Sequence, residues 1–364
     1  MKDKLIVLSF ALLLFGFFIV SIFDKDIEIS ISERRVLATF PTFSKEALWN
    51  GTFSDKLNTY TLDQFPLRET FRKTKNLFTS TVYQKKENHG SYIVKDTIFA
   101  LDYKINEKSI SHFTNIITSV QEKYFKDKNV YYSIIPDKNY YAPKGLFPEL
   151  AYDDFYKQVR KQLPTSFHEI DLRSFLTLNS YYRTDLHWKQ ETLEPVVKQI
   201  QKEMGLNSTV FPSHSTTFFP FYGAYYSKGS NQIKADTITY LTSETIENTK
   251  VYNYEKQEFQ LVHNPENKSH IDSYDIFLDG ATSVLILENE HRRENRELIL
   301  FRDSFGSSIA PLLLENYSKI ILIDLRYFSS QLLLTIPEID FEKDNLDILF
   351  LYSVPIINQS FTLK

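Results

Sequence analysis

The chain contains no cysteine, and that absence removes disulfide cross-links, thiolate nucleophiles and cysteine-held zinc together. A disulfide-stapled secreted fold is excluded. An extracytoplasmic location is not, because 364 residues can bury a stable core without cross-links. Excess positive charge is also missing: a net charge of −4 provides no basic field to attract nucleic acid. Tryptophan is scarce, with two residues against 23 Tyr and 30 Phe. Such aromatic wealth suits a carbohydrate-handling surface, where a ring packs on a sugar's C–H face. Rings filling a core account for it more simply. No repeat or low-complexity segment interrupts the chain.

Long hydrophobic runs are absent with one exception. Leu5–Phe23 is 19 residues without a charge, which as a helix spans about 28 Å, close to the hydrocarbon thickness of a bilayer. Lys2 and Lys4 precede it, and Asp24-Lys25-Asp26 follows without a small-x-small cleavage pattern. A buried core helix would be apolar on one face, whereas this run is apolar on all of them. The sequence therefore predicts a retained anchor over residues 1–26 of a single-pass cell-membrane protein. Its soluble part would lie outside the cytoplasm.

Residues 27–105 read as a helical and hairpin extension. Phe53, Leu57 and Tyr60 fall at helical spacing, as do Phe71, Thr74, Phe78 and Val82, with a Pro66 turn between the two sets. A short hairpin is expected over 89–103, with a turn at His89-Gly90. From 106 to 364 the pattern is α/β. Ile110, Phe113, Ile117, Val120 and Tyr124 mark a helix, and Leu193, Val196, Val197, Ile200 and Met204 mark another ended by Gly205. Val130–Ile135, Phe167–Ile170, Leu298–Phe301, Ile320–Ile323 and Asp347–Leu351 read as strands, and Ser307–Tyr317 as a helix. Short apolar strands alternating with helices predict a parallel sheet covered on both faces. About 211–290 breaks the pattern and reads as a β or irregular insertion.

Two segments carry candidate chemistry. Arg302-Asp303-Ser304-Phe305-Gly306 falls where a strand meets a helix, the place where open parallel sheets bind ligands. A serine there exposes its hydroxyl, and amides at the helix start can stabilise an oxyanion. The same pair also serves as an ordinary helix cap. In Thr184-Asp185-Leu186-His187-Trp188, Asp185 and His187 point the same way if the segment is extended. Asp185 would orient the imidazole, and His187 would take the proton of a serine hydroxyl. A structural or metal-ligating histidine is the competing reading. Among the other histidines (His89, His112, His168, His214, His263, His270 and His291), only His270, with Asp272, has a close acid in a comparably strong context, and that pair lies in the polar insertion.

These two segments, with SERRVLATFP (32–41), DQFPLR (63–68), IIPDKNYY (134–141), FYGAYYSKGSNQIKADTITY (221–240), YDIFLDG (274–280) and DLRYF (324–328), resemble the DHHW family of SGNH-hydrolase-like proteins, relatives of the alginate O-acetylation proteins. The resemblance implies an SGNH-like (flavodoxin-like) parallel sheet sandwiched by helices and a Ser304–His187–Asp185 triad that uses no cofactor or metal. It further implies Gly280 in the oxyanion region, and Lys138 and Arg326 as supporting residues. Leu186 replaces the first histidine of the name-giving pair. Ala281 stands where an asparagine is expected, so that backbone amides, Asn231 or Asn289 would have to complete the oxyanion site. The implied activity is O-acetylation of a cell-envelope glycan, supplied by a membrane-bound O-acyltransferase. A carbohydrate esterase, a non-catalytic polysaccharide-binding or assembly factor, and a metal-dependent phosphoesterase using Asp185, His187 and Asp303 are the alternatives.

Overall fold

The computed structural model describes residues 2–30, 33–81, 87–88, 90–207, 210–226, 233–269, 271–289 and 295–364. Helix Lys2–Phe23 covers the uncharged run, leaves most of its described apolar side chains exposed, and is long and apolar enough to cross a membrane. Helices Thr52–Asp63 and Arg68–Thr81 follow at the spacings the sequence predicts, joined at Phe65-Pro66-Leu67. Val82 and His89 lie outside the described residues. Strands Glu87–Asn88, Ser91–Val94 and Thr97–Ala100 form a small antiparallel sheet.

The centre is an eight-stranded sheet. Its strands, in chain order, are β1 (Val130–Ile135), β2 (Phe167–Glu169), β3 (Lys250–Asn253), β4 (Glu258–Gln260), β5 (Val284–Glu288), β6 (Glu297–Arg302), β7 (Lys319–Ile323) and β8 (Leu346–Ser353). Their spatial order is β4-β3-β5-β7-β6-β8-β1-β2. The five from β7 to β2 are parallel, and β5, β3 and β4 extend them through antiparallel pairings. The second half of the 211–290 stretch therefore builds one side of the main sheet. Polar residues in β3 and β4 suit an edge, which hides the strand pattern from a search for apolar runs.

Pleating explains why the inner strands are apolar throughout. Leu298 and Leu300 of β6, Ile320 and Leu322 of β7, and Leu349 and Leu351 of β8 face one core, shared with helices Glu194–Glu203 and Phe305–Leu313. Ile299, Phe301, Ile321, Ile323, Ile348 and Phe350 face the other, against helices Glu107–Tyr124 and Tyr152–Gln162. A sheet buried on both faces leaves one wet edge for chemistry, where the parallel strands end. Ser304, Asp324 and Lys138 follow strand ends there, and Ser353 is the last residue of β8.

Candidate active site

Strand β6 ends at Arg302, and helix Phe305–Leu313 begins three residues later. The tight turn between them is held by Asp303, which is fully buried. Its Oδ1 accepts the Phe305 amide at 3.0 Å, while its Oδ2 accepts the Ser353 amide at 2.8 Å and hydroxyl at 2.6 Å. Asp303 thus ties two neighbouring strand ends together, and both its oxygens are used in doing so. Ser304 takes the helix-cap position, yet its hydroxyl makes no cap hydrogen bond. Oγ lies instead 2.7 Å from His187 Nε2.

The histidine arrives on a hairpin. Tyr181 bridges Trp188, and the Tyr182 amide donates to His187 O at 3.2 Å, which leaves Arg183 to Leu186 as the tip. Trp188 anchors that hairpin to the serine helix: its indole N–H donates to Ser308 Oγ at 2.9 Å and to Phe305 O at 3.2 Å. Within the tip, Asp185 Oδ1 lies 2.6 Å from His187 Nδ1 and accepts the His187 amide at 2.9 Å. With Nδ1 donating to the carboxylate, Nε2 is left as the acceptor of the serine proton; the network fixes that tautomer.

Burial opposes the charge of Asp185. The attraction of the imidazole, its hydrogen bond and the amides of Ala224 (2.6 Å) and His187 outweigh that cost, and hold the carboxyl well below the usual carboxylate range. This carboxyl stays ionised.

Lys138, which follows β1, is buried and, among the described residues, forms no ion pair with a carboxylate. Its ammonium donates to the carbonyls of Tyr182 (3.1 Å), Arg183 (3.2 Å) and Asp185 (2.7 Å). Burial pulls its pKa down to about 7, but three carbonyls match the three N–H bonds of the charged form. It clamps the hairpin tip that carries Asp185. Lys138→Met would leave the Tyr182 and Asp185 carbonyls without their donor, whereas Arg183 O keeps the Ile98 amide at 2.9 Å. The substitution is expected to lower the unfolding free energy by about 2 kcal/mol. Turnover should fall with it; thermal unfolding and an activated-ester assay check both.

Several neighbours lie in segments that carry the family resemblance, yet nothing in the sequence singles them out as site residues. The Tyr274 ring stacks on the imidazole at 3.8 Å and 7°, and its hydroxyl donates to Ser308 Oγ at 2.8 Å. Asp236 accepts from the Thr184 amide and hydroxyl, both at 2.7 Å. Gly223 passes so close to Asp185 that a Cβ there would overlap the aspartate. From the N-terminal extension, Arg34 comes within 4.0 Å of Asp185 and pairs with Asp272. None of these is near the catalytic segments in sequence, and only the fold brings them together.

The remaining expected residues are placed as follows. Gly280 has φ +81° and packs on Asp275, and its amide donates to Phe277 O at 3.2 Å. Arg326 forms a two-pronged pair with Asp324 at the end of β7. Asn289 follows β5 at the opposite edge of the sheet, where its amide donates to Ser318 O, so it cannot serve an oxyanion at Ser304. Asn231 and His270 lie outside the described residues. Among the described residues, no group of three or more His, Cys, Asp or Glu could hold a metal ion.

The structure is a mixed α/β fold in which a serine, a histidine and an aspartate meet at the carboxyl edge of a largely parallel sheet. Residues 33–140 match the family model described as DHHW protein. That match ends before both candidate segments, 184–188 and 302–306. A DHHW family protein from Eubacterium siraeum is similar in structure, with TM-score 0.60 and 19% identity over 73% of this chain and 91% of that one. Bacillus cereus PatB1 is similar at TM-score 0.58 and 14% identity, over 73% of this chain and 96% of its own. A second structure of PatB1, with a sulfonyl adduct, matches at TM-score 0.58 and 15% identity, over 73% and 97% of the two chains. No curated protein matches in sequence.

Proposed function

We propose that the chain is a membrane-anchored acyltransferase that places acetyl groups on the hydroxyls of a cell-envelope polysaccharide. In this reading Ser304 is the nucleophile, His187 the base and Asp185 its orienting partner. One observation carries it: the unbroken line from Asp185 Oδ1 to His187 Nδ1 (2.6 Å) and from Nε2 to Ser304 Oγ (2.7 Å), in a buried setting with the serine half-exposed. Those distances are within reach for proton transfer.

The step balances as follows. His187 Nε2 takes the Ser304 proton while Oγ attacks the donor's acyl carbonyl. The imidazolium, stabilised by ionised Asp185, then returns that proton to the departing group. This leaves an ester on Ser304. A sugar hydroxyl repeats the sequence from the other side and carries the acyl group away. Helix Lys2–Phe23 would hold the domain beside a membrane-bound O-acyltransferase that supplies the acetyl group.

Incubating the full chain with a labelled acetyl ester and envelope glycans tests this reading. Label on the glycan, dependent on Ser304, is the expected result. Label released only as acetate would make the protein an esterase, and no Ser304-dependent turnover would leave a glycan-binding factor.

A further inference from the structure

Helix Lys2–Phe23 does not separate cleanly from the domain behind it. Phe17 stacks on Phe65 with ring centroids 5.2 Å apart and meets Phe71 at 5.8 Å, and Phe65 and Phe71 touch at 5.9 Å. Phe17 stands six residues before the helix's last residue, Phe23, which is about 9 Å back along its axis. Two rings of the domain therefore sit beside a level of the helix that a bilayer would surround.

The surface around them is apolar and open. Leu67 is 64% exposed, Phe71 50%, Phe78 53% and Phe65 40%. Leu67, Phe71, Thr74 and Phe78 fall on one face of helix Arg68–Thr81, and Arg68, Arg72 and Lys73 turn away from it. Arg68 and Arg72 both pair with Glu33, which fixes the polar face against the N-terminal segment and leaves the apolar face outward.

The geometry points to a second membrane contact: the turn Phe65–Leu67 and the Leu67, Phe71 and Phe78 face of the following helix lie in the headgroup–acyl boundary of the bilayer that the N-terminal helix spans. An amphipathic helix with aromatic and leucine side chains on one face and basic residues on the other suits that depth. The partner is the lipid surface itself. A cleft of about 430 Å³ opens beside this contact, lined by Asp24, Leu37, Phe65, Arg68, Tyr222 and Tyr226. Tyr222 and Tyr226 flank Gly223 and Ala224, the residues seated on Asp185. The cleft thus lies between the proposed bilayer contact and the loop seated on the aspartate. The inference rests on reading the N-terminal helix as a membrane anchor.

Because the chain has no cysteine, single cysteines can report depth in the full-length protein. Leu67→Cys, Phe71→Cys, Lys73→Cys and Leu12→Cys would each carry an environment-sensitive fluorophore. Each labelled protein would then be placed in phosphatidylcholine vesicles containing doxyl-labelled acyl chains. Quenching at 67 and 71 several-fold greater than at 73, alongside strong quenching at 12, is the expected result. Quenching at 12 with none at 67 and 71 beyond that at 73 overturns the second contact and leaves the anchor standing. Absence of quenching at 12 overturns both. Blue-shifted emission at 67 and 71 without lipid quenching, with cross-links between copies, also overturns it and assigns the face to a second copy.

Discussion

Ser304→Ala is expected to lower turnover of an activated acetyl ester by about 10⁴-fold or more while leaving the fold intact. The two halves of that expectation have separate grounds. The Ser304 hydroxyl makes no helix-cap hydrogen bond, and its one side-chain partner is His187, so removing it orphans no buried backbone group. A change of this kind usually shifts stability by less than about 0.5 kcal/mol. The chemistry, by contrast, loses its only route to an ester intermediate. Adding His187→Ala to Ser304→Ala should cost little more, because base and nucleophile act as one unit. Thermal unfolding beside steady-state kinetics on the three proteins checks this. A stable Ser304→Ala variant with wild-type turnover would place the reaction elsewhere.

Asp185→Asn is expected to cost about 10⁴-fold in rate through the wrong tautomer. Both carboxylate oxygens of Asp185 act as acceptors: Oδ1 for His187 Nδ1 and the His187 amide, Oδ2 for the Ala224 amide. An asparagine has one acceptor oxygen and an NH₂. If its oxygen keeps Ala224, the NH₂ faces Nδ1 and makes that nitrogen the acceptor. The ring proton then moves to Nε2, which points at Ser304 and can no longer take its proton. The variant should also report on pH. The folded-state pKa of Asp185 lies below its unfolded value, so its ionisation stabilises the fold above about pH 4. That contribution fades as the pH falls towards the lower, folded value. The stability deficit of Asp185→Asn should therefore be larger at neutral pH than in acid, as urea titrations at the two conditions would show.

How legible the molecule was in its sequence depends on the range of the interaction concerned. Strands β6, β7 and β8 are legible because burial on both faces makes their central residues apolar, so short runs such as LILF and IILI betray them. The helices at 107–124 and 194–203 were equally plain from their 3.6-residue spacing. Strand β5, VLILE, carries four buried apolar residues but was absorbed into a polar stretch, and β3 and β4 pair along a sheet edge where polar side chains are tolerated. Asp185, His187 and Ser304 stood out because each sits in a short segment of unusual composition. The seat of Asp185 did not: the Ala224 amide, the close pass of Gly223, the Tyr274 stacking and the Arg34 approach are contacts between distant segments, and no local pattern encodes them. Lys138 could be seen as a lysine after a strand, yet its three carbonyl acceptors lie 44 to 47 residues further on.

Intact-protein mass spectrometry after brief exposure to an activated acetyl donor tests the pairing of Ser304 with His187 most directly. Wild-type protein should gain the mass of one acetyl group, mapped by digestion to the peptide containing Ser304, and His187→Ala should gain none. Acetylation at another residue, or equal acetylation of Ser304 in both proteins, would contradict it.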